Sequence, residues 1–286
     1  MEAFFLDAPG GGQRFCLHHP AQGPVKRGQL LYVHPFAEEM NKARRMAALQ
    51  SRAFAAAGFE VLQIDLLGCG DSSGDFGDAT WDAWIADVLL GLDWLQQRDA
   101  AAPRWLWGLR AGCLLATQAA QRLDPSPHLL LVQPPASGKL VLQQFLRLKS
   151  AAGLVDGSNK GAMAEMRAAL ARGESLEIAG YLLNPKMAEG LEAATLRASQ
   201  AALAVQRLVW LELSTQPEPT WTPVSTQTQE QWRRAGSAVQ AELLAGPAFW
   251  QTTEIEEAPA LLEAGPRLLQ SAAGQAMEPI VDGALA

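Results

Sequence analysis

The residues best placed for chemistry lie between Trp105 and Gly112, where the chain reads Trp-Leu-Trp-Gly-Leu-Arg-Ala-Gly. An apolar run ends in Gly-x-Arg-x-Gly and passes directly into a helical pattern through Cys113, Leu114, Leu115, Ala119 and Leu123. This is the outline of the strand–turn–helix device G-x-S-x-G, which presents a nucleophilic serine beside free backbone N–H groups. Small residues are needed on either side because the central residue of so tight a reversal is strained. Arg110 stands where the serine would be, and a guanidinium neither deprotonates in a protein nor attacks a carbonyl. The other parts of an acyl-transfer set are missing as well. All four histidines (His18, His19, His34, His128) fall in the first half of the chain. The stretch from Gly246 to Glu254 has none, and the first acid after Leu213 is Glu218 among prolines. Loss of the serine alone from a comparable triad costs on the order of 10⁶ in turnover. The standard serine mechanism is therefore contradicted by the sequence.

Other chemistries are open to the same region. At the start of a helix Arg110 joins backbone N–H groups and a helix dipole that already favour an anion. N–H groups near Phe36 and Ala111, with His34 and Trp250 as further lining, would then hold a carboxylate or phosphate. Alternatively, Arg110 pairs internally with Glu38, Glu39, Asp71, Glu254 or Glu256 and plugs the site. Cys69 is a candidate nucleophile with His34 as its base; the competing readings are an inert buried thiol and a histidine that braces its loop. Glu254, Glu256 and Glu257 could form a carboxylate acid/base group, a solvated cluster, or a partner for Arg110. Cys113 and Trp250 also read as core residues. No metal-ligand spacing, P-loop or dinucleotide fingerprint is found, so no cofactor is expected; Gly68-Cys-Gly70 lacks a third glycine and a helix start.

Positioning these groups requires a particular scaffold. Ala3 to Leu6 and Gln13 to His18 flank a Pro-Gly-Gly-Gly turn and predict a hairpin. Leu30 to Val33, Phe59 to Ile64, the run into Gly108, and Leu129 to Gln133 predict strands. Between them, residues 41–57 show a helical stripe closed by Gly58, and Thr80 caps an amphipathic helix bearing Trp81, Trp84, Ile85, Val88, Leu92 and Leu95. Strand and helix in alternation mean an α/β protein: a mostly parallel, doubly wound, eight-stranded type of sheet covered on both faces. Residues 139–205 are rich in alanine, leucine and methionine without a convincing strand, and predict an all-helical cap over the sheet's C-terminal edge. Residues 1–138 and 206–286 form the core. There Leu208 to Leu213 is a strand, 214–229 a polar loop, Gln231 to Arg234 helical, Val239 to Leu244 the last strand, and Pro259 the start of a short final helix with a frayed tail.

Three loops fall at strand C-termini, where open α/β sheets bind ligands: His34-Pro35-Phe36, the D-x-x-G-x-G-x-S loop from Asp65 to Ser72, and the Gly108–Gly112 turn. Their order and spacing resemble the α/β-hydrolase fold. The strings VHPFAEEMNKARRM from Val33 to Met46, WGLRAG from Trp107 to Gly112, Gln133-Pro134-Pro135, and FWQTTEIEE from Phe249 to Glu257 are similar to a bacterial family, exosortase A system-associated hydrolase 2. That resemblance covers about residues 1–270. It implies a hydrolase relative encoded near exopolysaccharide and PEP-CTERM protein-sorting genes. Three functions follow. The first is a non-catalytic protein binding a small anionic or acylated ligand or a partner protein. The second is an esterase or thioesterase with a non-standard set built on Cys69, His34 or Glu254. The third is a structural partner of a sister hydrolase or of a second copy.

Composition narrows the setting. With 30 Asp and Glu against 23 Lys and Arg the chain carries net charge −7, which disfavours nucleic acid or an anionic membrane as partner. Three scattered cysteines (Cys16, Cys69, Cys113) fit a reducing compartment, and Met1 to Asp7 does not read as a secretory leader. No window approaches the roughly 18 apolar residues a membrane helix needs, so a cytoplasmic location is expected.

Overall fold

The computed structural model describes residues 1–152, 161–198 and 205–274. Eight strands form one sheet: β1 (Glu2–Asp7), β2 (Gln13–His19), β3 (Gly28–Val33), β4 (Phe59–Ile64), β5 (Arg104–Leu109), β6 (His128–Val132), β9 (Arg207–Ser214) and β10 (Ala238–Ala245). Their order is β1-β2-β4-β3-β5-β6-β9-β10. Only β2 runs against its neighbours; every other pairing is parallel.

Helices cover both faces, so the central strands are apolar without a polar side. In β3 all six residues are buried. Leu30 and Tyr32 point one way and pack with Met46 and Phe54 of α1 (Glu38–Ala56) and Leu261 and Leu269 of α8 (Pro259–Gly274). Leu31 and Val33 point the other way, into the layer of α2 (Trp81–Arg98) and α3 (Ala111–Ala120). Each such side chain contributes about 1.5–3 kcal/mol on leaving water. Thr80 caps α2 as its sequence implies, its hydroxyl accepting from the Ala83 N–H.

Three local expectations are corrected. The segment between β6 and β9 contains α4 (Gly138–Ala152), α5 (Ala162–Ala171) and α6 (Pro185–Ala193). It also holds an antiparallel hairpin of β7 (Leu176–Ile178) and β8 (Tyr181–Leu183), so it is not all-helical. Strands of three residues are too short to leave a period-2 signal. The expected 214–229 loop is partly helix: α7 (Pro223–Arg234) starts with Pro223 in its first turn and with the Thr222 hydroxyl accepting from Ser225 N–H. The final helix is not short, since α8 runs sixteen residues with Pro266 inside it. The tail expected to fray, from residue 275 on, lies outside the described residues. Leu142, Phe145 and Leu146 of α4 and Met187 and Leu191 of α6 join the α2/α3 core, which ties this segment to the body of the sheet.

Candidate functional site

The turn from β5 into α3 has the geometry the two glycines imply. Arg110 sits at φ 53°, ψ −123°, a conformation that is strained for any side chain. Its N–H donates to Val132 O at 3.0 Å, and its carbonyl accepts from Cys113 N–H at 2.9 Å. A Cβ on Gly108 would lie 2.6 Å from Cys113 Cα, and one on Gly112 would strike the Val33 and His34 carbonyls, so both positions require glycine. The neighbouring strand ends are built alike: Ala37, which opens α1 after β3, has φ 48°, ψ −124°, and Gln133 after β6 has φ 48°. Gln133 is locked to β9, its side-chain oxygen accepting from Leu213 N–H at 2.8 Å.

Arg110 is paired. Its Nε and Nη2 donate to Glu39 Oε1 at 3.2 and 3.1 Å, and Nη2 also donates to Gln144 Oε1 at 3.3 Å. The guanidinium lies 5.5 Å from the Trp250 ring centroid, and the side chain is 11% exposed. Of the five acids that sequence offers as partners, Glu39 in the first turn of α1 makes the ion pair. An anion approaching Arg110 would have to displace that carboxylate. Both donors fall on one oxygen, so this is not the forked pairing an arginine and a carboxylate can make. Glu39 Oε1 also takes a long bond from Gln251 Nε2, while Oε2 is buried with no partner. The backbone N–H groups of Phe36 and Ala111 have no acceptor among the described residues.

The remaining candidates do not converge on a nucleophile. His34 is buried; its Nδ1–H donates to Pro35 O at 2.8 Å and its Nε2 accepts from Leu66 N–H at 3.4 Å. Both ring nitrogens are engaged with backbone, and burial lowers its pKa, so the ring is neutral. Cys69 is 6% exposed, and burial, with Asp65 adding to it, pushes its thiol up to about 12. Cys113 Sγ donates to Val132 O from the core, and burial raises its pKa further still. Glu254 and Glu256 are exposed, and Glu257 turns away to Arg45 at 2.5 Å, so the acidic run does not gather around position 110. Trp250 and Phe249 occupy the segment after β10 where a triad histidine would be carried, and both are buried. Among the described residues no three His, Cys, Asp or Glu side chains come together in a way that would hold a metal ion.

Beside the Arg110–Glu39 pair lies a cavity of about 390 Å³. Phe36, Val141, Phe145 and Trp250 form its apolar wall, with Glu38 and Glu39 on one side and Lys42, Gln144 and Gln251 among its other lining residues. Gln144 and Phe145 come from α4 and carry no motif; only their placement above α1 identifies them.

Comparison with known proteins agrees with the architecture. The family described as Serine aminopeptidase, S33, matches residues 24–175, a span that includes all three motif loops. Human Protein ABHD12B is 30% identical over 95 residues, which is 33% of this chain and 25% of that protein, so the match spans only a quarter of that relative's length. Est1E from Butyrivibrio proteoclasticus, solved with ferulic acid, superposes with TM-score 0.65 at 14% identity, covering 94% of this chain and 97% of that one. A thermostable carboxyl esterase from Bacillus coagulans, in complex with glycerol, gives TM-score 0.63 at 14% identity over 96% and 98%. A soluble variant of monoglyceride lipase from Saccharomyces cerevisiae, with a substrate analogue, gives 0.59 at 14% over 94% and 95%.

Proposed function

The chain belongs to the serine aminopeptidase, S33, family and has the α/β-hydrolase fold, and from that premise we propose that it is a non-catalytic member which binds a small ligand in the cavity above the strained turn. The observation that carries this reading is Arg110 itself. The turn is kept at φ 53°, yet its side chain is a cation paired with Glu39 under Trp250. Among the described residues no imidazole stands opposite to activate a hydroxyl, and the thiol of Cys69 in a neighbouring loop is held protonated by burial. The finer assignment to the exosortase A system-associated hydrolase 2 type is supported by the strings at 33–46, 107–112 and 249–257. A cytoplasmic setting is supported by three free, buried cysteines. Among the described residues no helix is long and apolar enough to cross a membrane.

The test is hydrolysis of nitrophenyl butyrate and of acyl-CoA by wild type, Cys69→Ala and Arg110→Ser. The expected result is background turnover in all three, because serine without its base recovers little of a loss on the order of 10⁶. Turnover in the wild type that disappears in Cys69→Ala would establish the esterase or thioesterase reading instead.

A further inference from the structure

Two surface patches of opposite charge flank the mouth of the cavity. The first is the outward face of α4. Val141, Leu142, Phe145 and Leu146 of this helix are buried in the core, while Lys139, Leu140, Arg147, Leu148 and Lys149 are exposed. Leu140, Gln144, Arg147 and Leu148 recur at i, i+4, i+7 and i+8, which is one face of a helix. From Gly138 to Ala152 there are three cations and no acid, and none of the three makes an ion pair among the described residues. The second patch follows β10. Ile255 is 71% exposed between the exposed carboxylates of Glu254 and Glu256, which have no cation of their own among the described residues. This segment is held beside the cavity at both ends. Gln251 lines the cavity, and Glu257 is paired with Arg45, about one turn of α1 beyond the cavity-lining Lys42. Leu148 lines the same cavity from the α4 side.

We propose that a second copy of this chain covers the cavity mouth, with the α4 face of each copy seated on the Glu254–Glu256 segment of the other. Each patch carries what the other lacks: exposed leucines among cations on α4, an exposed isoleucine between carboxylates after β10. Within one chain the two do not pair. A two-fold axis over the opening brings both pairs of patches together at once, so the contact is closed and self-complementary. The same charges argue against a lipid surface. An anionic bilayer would attract α4 but would repel Glu254 and Glu256 on the other side of the mouth, and the chain as a whole carries −7. The inference is independent of what the cavity holds.

The experiment is sedimentation velocity of the full chain over a micromolar concentration series, at low and at high salt. A dimer is expected, with a Kd that rises at least about tenfold at high salt. Two charge-reversed variants, Arg147→Glu with Lys149→Glu and Glu254→Lys with Glu256→Lys, are each expected to sediment as monomers. An equimolar mixture of the two is expected to restore the dimer, because every reversed patch then meets its complement at both contacts. Circular dichroism melts show that each variant is folded, and rescue by mixing is a result that misfolding cannot produce. A monomeric wild type throughout the series overturns the proposal. So does a dimer indifferent to salt and to both reversals, or two folded variants that stay apart when mixed. Monomers that cosediment with phosphatidylglycerol vesicles would assign α4 to a lipid surface and overturn it too. Ester turnover by the wild type would remove the non-catalytic reading and leave this one standing, so the two failures are distinguishable.

Discussion

Two buried arginine–carboxylate pairs hold this protein together in different ways. Arg14 and Asp87 are both nearly inaccessible; Arg14 Nε donates to Asp87 Oδ1 at 2.7 Å, and the Leu67 N–H donates to Oδ2 at 2.7 Å. Each oxygen has its donor, and the pair clamps β2 and α2 onto the Asp65 loop. Arg110 and Glu39 meet at 3.1–3.2 Å through one oxygen only, the other oxygen is empty, and a cavity adjoins them. Burial raises the pKa of Asp87 even with Arg14 against it, so this clamp costs much to desolvate and is justified by the order it imposes. The first pair is closed on both carboxylate oxygens; the second leaves one oxygen of Glu39 without a donor beside a cavity.

That contrast can be broken by mutation. Asp87→Ala leaves the buried Arg14 with only the Gln13 carbonyl and no counter-charge, and should cost about 3–5 kcal/mol in urea unfolding. Equal loss from Glu39→Ala would erase the distinction. A titration far from the cavity supplies a second scale. Burial, helped by Arg207, lowers His128 from 6.5 to about 4, so folding selects its neutral form. Its stabilisation is complete above pH 6.5 and is lost as pH falls from 6.5 toward 4, on the order of 3 kcal/mol in all. His128→Gln should flatten the stability curve across that window. Arg110→Ala should cost only about 1–2 kcal/mol, because Glu39 keeps Gln251 and borders a cavity that admits water. A loss as large as that of Asp87→Ala would make Arg110 a clamp. Glu254→Gln, on an exposed carboxylate, should stay within about 0.5 kcal/mol.

Sequence reveals the frame of this site better than its contents. The Gly108 and Gly112 spacing announces the turn because only glycine clears the Val33, His34 and Cys113 backbone. The buried strands announce themselves as unbroken apolar runs, and Thr80 marks its helix. What pairs with Arg110 is set by how α1 leaves β3, seventy-one residues earlier in the chain. Glu38 and Glu39 are neighbours in sequence but point about 100° apart on a helix, and only the latter turns back to the guanidinium. Gln144 and Phe145 sit on a helix whose sequence reports its own amphipathicity and nothing of what it covers. The β7–β8 hairpin and the start of α7 were hidden for a simpler reason, being too short or too rich in turn-forming residues to show a period.

The segment after β10 passes directly over the turn: Trp250 covers the guanidinium, and Gln251 reaches Glu39. That placement makes the molecule a blank for engineering. The backbone already brings positions 110 and 250–251 together across the sheet's end, with the Phe36 and Ala111 N–H groups open beside them. A designer installing ester hydrolysis would start from side chains at those addresses, and would still have to supply an acid.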